Sequence, residues 1–142
     1  GLHHIGIPVR SLERSLVWYR ELFGFEPEFI QAAEGNGLDQ IVQLTDAKLR
    51  MAFIRLPNVL LEFLEYERPV GIDFDRRNCD IGAIHVCFEV DDIAAVHRRL
   101  EQHGISFTTP PVAQQGAIAG HQICYFRDPD GIQLELWQQP VA

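Results

Sequence analysis

The sequence predicts an α+β fold made of two copies of one module, each reading as a strand, a helix and then about three strands. Three observations predict it. His4, Val9, Leu12 and Gly24 recur as His85, Val90, Ile93 and Gly104, at offsets from the histidine that agree within one residue. The strand-like segments alternate polar and apolar residues with period two, whereas the segments between them repeat at helical spacing. Finally, each half closes on an apolar strand with a glutamate at its centre, Glu62 in the first and Glu135 in the second.

At 142 residues the chain is one domain by length, with apolar content sufficient for a core, divided into a first module over 1–67, a linker over 68–81 and a second module over 82–142. The formal charge is −8, and no basic cluster exceeds Arg76-Arg77 and Arg98-Arg99, so a nucleic-acid partner is not expected. No apolar run reaches the length of a membrane span, and nothing resembles a leader peptide. Cys79, Cys87 and Cys124 are an odd number without zinc-finger spacing, which fits a reducing cytoplasm.

The first strand is His4-Ile5-Gly6-Ile7-Pro8-Val9, with Ile5, Ile7 and Val9 on one face and His4 on the other. Ser11 is placed to cap a helix through Leu12, Leu16, Tyr19, Leu22 and Phe23, which Gly24 stops. Phe25 to Ile30 reads as a strand, Ala32 to Gln40 as a mobile loop, and Gln40 to Leu44 and Arg50 to Leu56 as strands. Pro57-Asn58 turns the chain into the strand Val59 to Leu64, which carries Glu62.

In the second half, Val86, Phe88 and Val90 form an apolar strand face, while His85, Cys87 and Glu89 point the other way. Asp91 or Asp92 caps a helix whose Ile93, Val96 and Leu100 give that face something to pack on. Ile105 to Thr108 reads as a short strand, Pro110 to Gly120 as a loop and His121 to Phe126 as a strand. Asp128-Pro129-Asp130-Gly131 is a hairpin turn leading into Ile132 to Trp137, the strand of Glu135.

A carboxylate in the middle of an apolar strand is costly to desolvate unless it is paired or metal-bound. His4, Glu62, His85 and Glu135 can offset that cost together by sharing one divalent cation, and a donor set of imidazole and carboxylate without cysteine suits zinc, nickel, cobalt, manganese or ferrous iron. Four protein ligands on an ion that prefers six leave two positions for a substrate with two adjacent oxygens. Such an ion stabilises the enolate or enediolate formed when a proton is lost beside a carbonyl. His3 falls on the opposite strand face from His4 and is expected to be structural or exposed; His97 and His103, on the second helix, are expected to be solvated or near its C-terminus. His121 and Arg127 are candidate substrate contacts, and Cys87 and Cys124 are expected to be small core residues.

His4 to Val9, Trp18-Tyr19-Arg20-Glu21-Leu22-Phe23-Gly24-Phe25, the His85 strand with Val90-Asp91-Asp92, and Asp128-Pro129-Asp130-Gly131 followed by Glu135 together resemble the vicinal oxygen chelate superfamily of glyoxalase I, methylmalonyl-CoA epimerase, extradiol dioxygenases and antibiotic resistance proteins. The resemblance covers essentially the whole chain. It implies paired βαβββ modules in an open, cupped mixed sheet around a metal held by His4, Glu62, His85 and Glu135, and a homodimer. Two histidines with two carboxylates are similar to glyoxalase I, which implies a cytoplasmic metal-dependent lyase or isomerase with Glu62 or Glu135 as base. Gly82 to Ile93 is also similar to the epimerase pattern, whereas the Asp128 to Gly131 turn is not the epimerase one, which counts against an epimerase and a coenzyme A substrate. No site for glutathione stands out. A ring-cleaving dioxygenase and a non-catalytic drug-binding protein are the alternatives within the same resemblance.

Overall fold

The computed structural model describes residues 1–73 and 75–140; Phe74 of the predicted linker and Val141 and Ala142 of the second module lie outside the described residues. The chain divides into two units, Gly1–Asp73 and Phe74–Ala142.

The first unit runs β1 (His4–Pro8), α1 (Leu12–Phe23), β2 (Pro27–Glu34), α2 (Asn36–Val42), β3 (Lys48–Arg55) and β4 (Leu60–Arg68). Its sheet has the order β1-β4-β3-β2, with β1 parallel to β4 and the other pairs antiparallel. The α1 helix starts where Ser11 Oγ accepts the Arg14 N–H at 3.3 Å, and stops at Gly24, whose φ of 71° is the left-handed conformation that a side chain disfavours. Its buried stripe is Leu12, Ser15, Tyr19 and Leu22, and the Tyr19 ring centroid lies 4.7 Å from that of Phe63. Period-two alternation turns Ile7, Leu61, Phe63, Ala52 and Ile54 onto the buried side, each contributing about 1.5–3 kcal/mol of burial where the side chain is large. The opposite face carries His4, Gly6 and Glu62.

The second unit repeats this plan with β5 (His85–Glu89), α3 (Ile93–Gln102), β6 (Val112–Ala113), β7 (Gln122–Arg127) and β8 (Gln133–Gln138), in the order β5-β8-β7-β6. Asp92 Oδ1 caps α3 by accepting the Ala95 N–H at 2.8 Å. Val86, Phe88, Leu134 and Leu136 are buried with Ile93 and Leu100 of α3, and His85, Cys87 and Glu135 lie on the other face. The β7–β8 hairpin is tied by Asp128 Oδ1, which accepts the N–H groups of Asp130 and Ile132 at 2.9 Å each, with Gly131 at φ 81°.

The two units share a latch between helix and sheet. The first helical N–H of α1, at Leu12, donates to Glu65 Oε2 at 2.7 Å, and that of α3, at Ile93, donates to Gln138 Oε1 at 2.7 Å. Each acceptor stands three residues beyond the glutamate of its strand, satisfying a donor that no helical carbonyl reaches.

Three segments depart from the sequence-based expectation. The region expected as a loop over Ala32 to Gln40 and a strand over Gln40 to Leu44 is instead the end of β2 followed by α2. A run this short with Leu38, Ile41 and Val42 fits either period, and tertiary bonds decide it. The Asp39 carboxylate accepts the N–H groups of Ala47 at 2.7 Å and Asp46 at 3.1 Å, folding the chain back toward β3. Ile105 to Thr108 makes only a bridge between Phe107 and Phe126, and the fourth strand of the sheet is β6, within the stretch expected as a loop. His97, expected to be solvated, is 7% exposed, with its ring centroid 4.1 Å from that of Phe107 and Nδ1 3.3 Å from Glu101 Oε2. Its place four residues after Ile93 and three before Leu100 puts it on the buried stripe. Among the described residues no helix is long and apolar enough to cross a membrane.

Candidate metal centre

In each unit the histidine and the glutamate that the sequence singles out meet on the sheet face away from the helix. His4 Nε2 lies 3.3 Å from Glu62 Oε2, and His85 Nε2 lies 3.0 Å from Glu135 Oε2. The register explains both meetings. Gly6 stands opposite Glu62 and Cys87 stands opposite Glu135, so each histidine, two residues earlier on its strand, shares a face with its carboxylate. The histidines are half exposed, with side chains 41% and 47% accessible, whereas the carboxylates are sunk to 12% and 6%. Glu62 and Glu135 occupy β4 and β8, inner strands of their sheets.

The donor chemistry fits a divalent ion. Neighbouring ligand atoms on an octahedral ion with bonds of about 2.1 Å lie about 3.0 Å apart, and the two imidazole–carboxylate pairs have that spacing. Within either unit alone, no group of three or more His, Cys, Asp and Glu side chains among the described residues is assembled to hold a metal. Each unit offers a pair.

The pairs have different surroundings. On the third strand of each sheet, Phe53 stands opposite Glu62 and Tyr125 stands opposite Glu135. Both rings meet the histidine of their pair, His4 with Phe53 at 5.8 Å and His85 with Tyr125 at 5.4 Å between centroids, edge to face. The Tyr125 hydroxyl and the Cys87 thiol, however, also lie within the electrostatic reach of the Glu135 carboxylate. Burial first, and then this carboxylate, pushes the Cys87 thiol up to about 12 and raises Tyr125 above the ordinary phenol value. Phe53 and Gly6 have no proton to offer Glu62. A Cβ on Gly6 would lie 3.4 Å from Glu62 Oε2, so the missing side chain leaves room for that carboxylate.

His3, outside β1, is exposed as expected, but its Nδ1 is 2.8 Å from His4 Nδ1. Cys124 is a core residue as expected, whereas Cys87 is exposed on the Glu135 face. The His121 ring rests 4.9 Å from Trp137, two residues after Glu135 and on its face, and His121 Nδ1 is buried without a hydrogen-bond partner among the described residues. The Arg127 guanidinium is taken up by Asp75 at 3.6 Å and by the carbonyls of Arg76 at 3.1 Å and Gly131 at 3.4 Å.

Residues 1–136 match the family model described as the Glyoxalase/Bleomycin resistance protein/Dioxygenase superfamily. The chain belongs to this superfamily. Within the superfamily it is 32% identical to a 2-epi-5-epi-valiolone epimerase of Actinomyces sp, over 100% of this chain and 81% of that protein. It is also 32% identical to an ethylmalonyl-CoA/methylmalonyl-CoA epimerase of Cereibacter sphaeroides, over 72% of this chain and 70% of the relative. A glyoxalase family protein from Bacillus cereus shares the fold, with a TM-score of 0.79, 24% identity and coverage of 99% of this chain and 94% of that one. These superfamily relatives include epimerases.

Tyr125 is the residue near the pairs that sequence reading passed over. A tyrosine in Gln122-Ile123-Cys124-Tyr125-Phe126 reads as one more aromatic strand residue, and only the register puts it beside Glu135.

Proposed function

We propose that the chain is a divalent-metal-dependent enzyme that moves a proton on a carbon beside a carbonyl, in a small substrate with two adjacent oxygens, by epimerisation or glyoxalase-type isomerisation. The observation that carries this reading is the repeated pair, an imidazole nitrogen 3.0–3.3 Å from a sunken carboxylate oxygen on the same face of each sheet. His4, Glu62, His85 and Glu135 are the ligands in this reading. Bound there, a divalent ion supplies Lewis-acid stabilisation of charge that develops on a carbonyl oxygen.

The chain's own part is proton transfer. A glutamate carboxylate takes the proton from the carbon while the C–H electron pair moves into the adjacent carbonyl, and returns it to complete the isomerisation. Glu62 is favoured for this step because Gly6 leaves it room and the Phe53 ring opposite it has no hydrogen-bond donor. Glu135, with Tyr125 and Cys87 turned toward it, is the held partner. His121, beside Trp137, is the substrate contact in this reading.

Metal analysis of the chain purified without added metal tests the proposal, followed by a screen of 2-oxoaldehyde adducts, epimerisable acyl thioesters and ketocyclitols in deuterated water. The expected result is one divalent ion per chain, lost on His4→Ala or His85→Ala, and deuterium incorporation into one substrate class. Bound iron with oxygen uptake on catechols refutes the isomerase reading, and ligand binding that survives His85→Ala without metal refutes the enzyme reading.

A further inference from the structure

His4 does not stand alone at the edge of its pair. Its Nε2 is turned to Glu62, and its other ring nitrogen, Nδ1, lies 2.8 Å from His3 Nδ1 with the two rings nearly perpendicular at 86°. A neutral imidazole carries one proton, so when Nε2 gives its lone pair to a metal the proton must sit on Nδ1. At 2.8 Å the only hydrogen bond that proton can make to His3 is one that His3 Nδ1 accepts. His3 is itself anchored, because its carbonyl accepts the Leu60 N–H at 3.4 Å, at the start of the strand that carries Glu62. The second unit has nothing equivalent at this position: the residue before His85 is Ile84, whose side chain has no acceptor.

We infer that His3 is a positioning residue for the metal site: it accepts the Nδ1 proton of His4, fixing the tautomer and ring orientation that present Nε2 as a ligand. This rests on the metal-binding reading given above. Outer partners of this kind set ligand basicity and ring angle, and their loss weakens metal binding by about 10- to 100-fold. His3 lies just before β1, where strand alternation no longer dictates its direction.

Zinc affinity of the full chain, measured by competition with a chromophoric chelator, tests the inference with His3→Ala, His3→Asn and His4→Ala. The asparagine places its amide oxygen where Nδ1 of His3 stood, so it can accept the same proton. Expected are a loss of about 10- to 100-fold in His3→Ala, recovery of most of it in His3→Asn, and a larger loss in His4→Ala. His3→Ala within twofold of the wild type overturns the inference, and so does an asparagine that restores nothing. A loss in His3→Ala as deep as in His4→Ala overturns it too, by making His3 a ligand. Wild-type protein that takes up no zinc defeats the metal reading itself and this inference with it, a result distinct from the other three.

Discussion

Gly6 lies opposite Glu62 across the β1–β4 pair, and a Cβ placed there would come within 3.4 Å of Glu62 Oε2 and 3.3 Å of Leu64 Cδ1. The residue in the matching place of the second unit is Cys87, opposite Glu135. A single methyl group is therefore predicted to crowd the first carboxylate. Gly6→Ala should weaken zinc retention by about tenfold, equivalent to about 1.4 kcal/mol, while urea denaturation shows the stability little changed. Unaltered affinity would show that the space over Gly6 is idle.

The same difference separates the two glutamates. Glu62→Gln should lower the rate of deuterium exchange into the substrate by about 10²–10⁴-fold with metal content retained, since an amide oxygen still coordinates but takes no proton. Glu135→Gln, which likewise keeps a coordinating oxygen, should retain its metal and lose far less of the exchange. The reverse pattern, with Glu135→Gln keeping its metal and losing exchange, assigns the proton transfer to Glu135 instead.

Cys87 combines exposure with a thiol pushed up to about 12 by burial of its sulfur and the nearby Glu135 carboxylate. At pH 8 that leaves roughly one thiolate in ten thousand. In metal-free protein, iodoacetamide labelling of Cys87 followed by peptide mass spectrometry should be slow at pH 8 and rise about tenfold per pH unit toward 12. Removing the negative charge lowers the thiol's pKa, so Glu135→Gln should speed the labelling. A fast reaction of Cys87 at neutral pH contradicts the arrangement.

The latch gives a stability prediction without reference to chemistry at the site. Glu65→Ala strips the partly buried Leu12 N–H of its acceptor, and Gln138→Ala does the same to Ile93. Each should cost about 1–3 kcal/mol by chemical denaturation. Glu65→Gln, which keeps an oxygen acceptor, should recover most of its share. Metal affinity should hold throughout, because residues three apart on a strand face opposite ways.

Strand alternation and internal duplication made the fold and both His–Glu pairs legible. His4 and His85 stood out because each interrupts an apolar pattern at the same place in its repeat. What stayed hidden depends on register or on segments with ambiguous period. Tyr125 is one aromatic among several until β7 is paired with β8, and α2 has too few residues for a period to declare itself. His97 differs for another reason: its residue type suits solvent, but its helical spacing puts it on the buried stripe, where packing on Phe107 prevails.

The latch residues Glu65 and Gln138 sit on the same strands as Glu62 and Glu135 yet look toward the helices. Attachment and chemistry are thus written on opposite sides of one ribbon, in alternating letters. The two copies differ in their outward letters, Gly6 and Phe53 in one against Cys87 and Tyr125 in the other, while the inward ones spell the same scaffold.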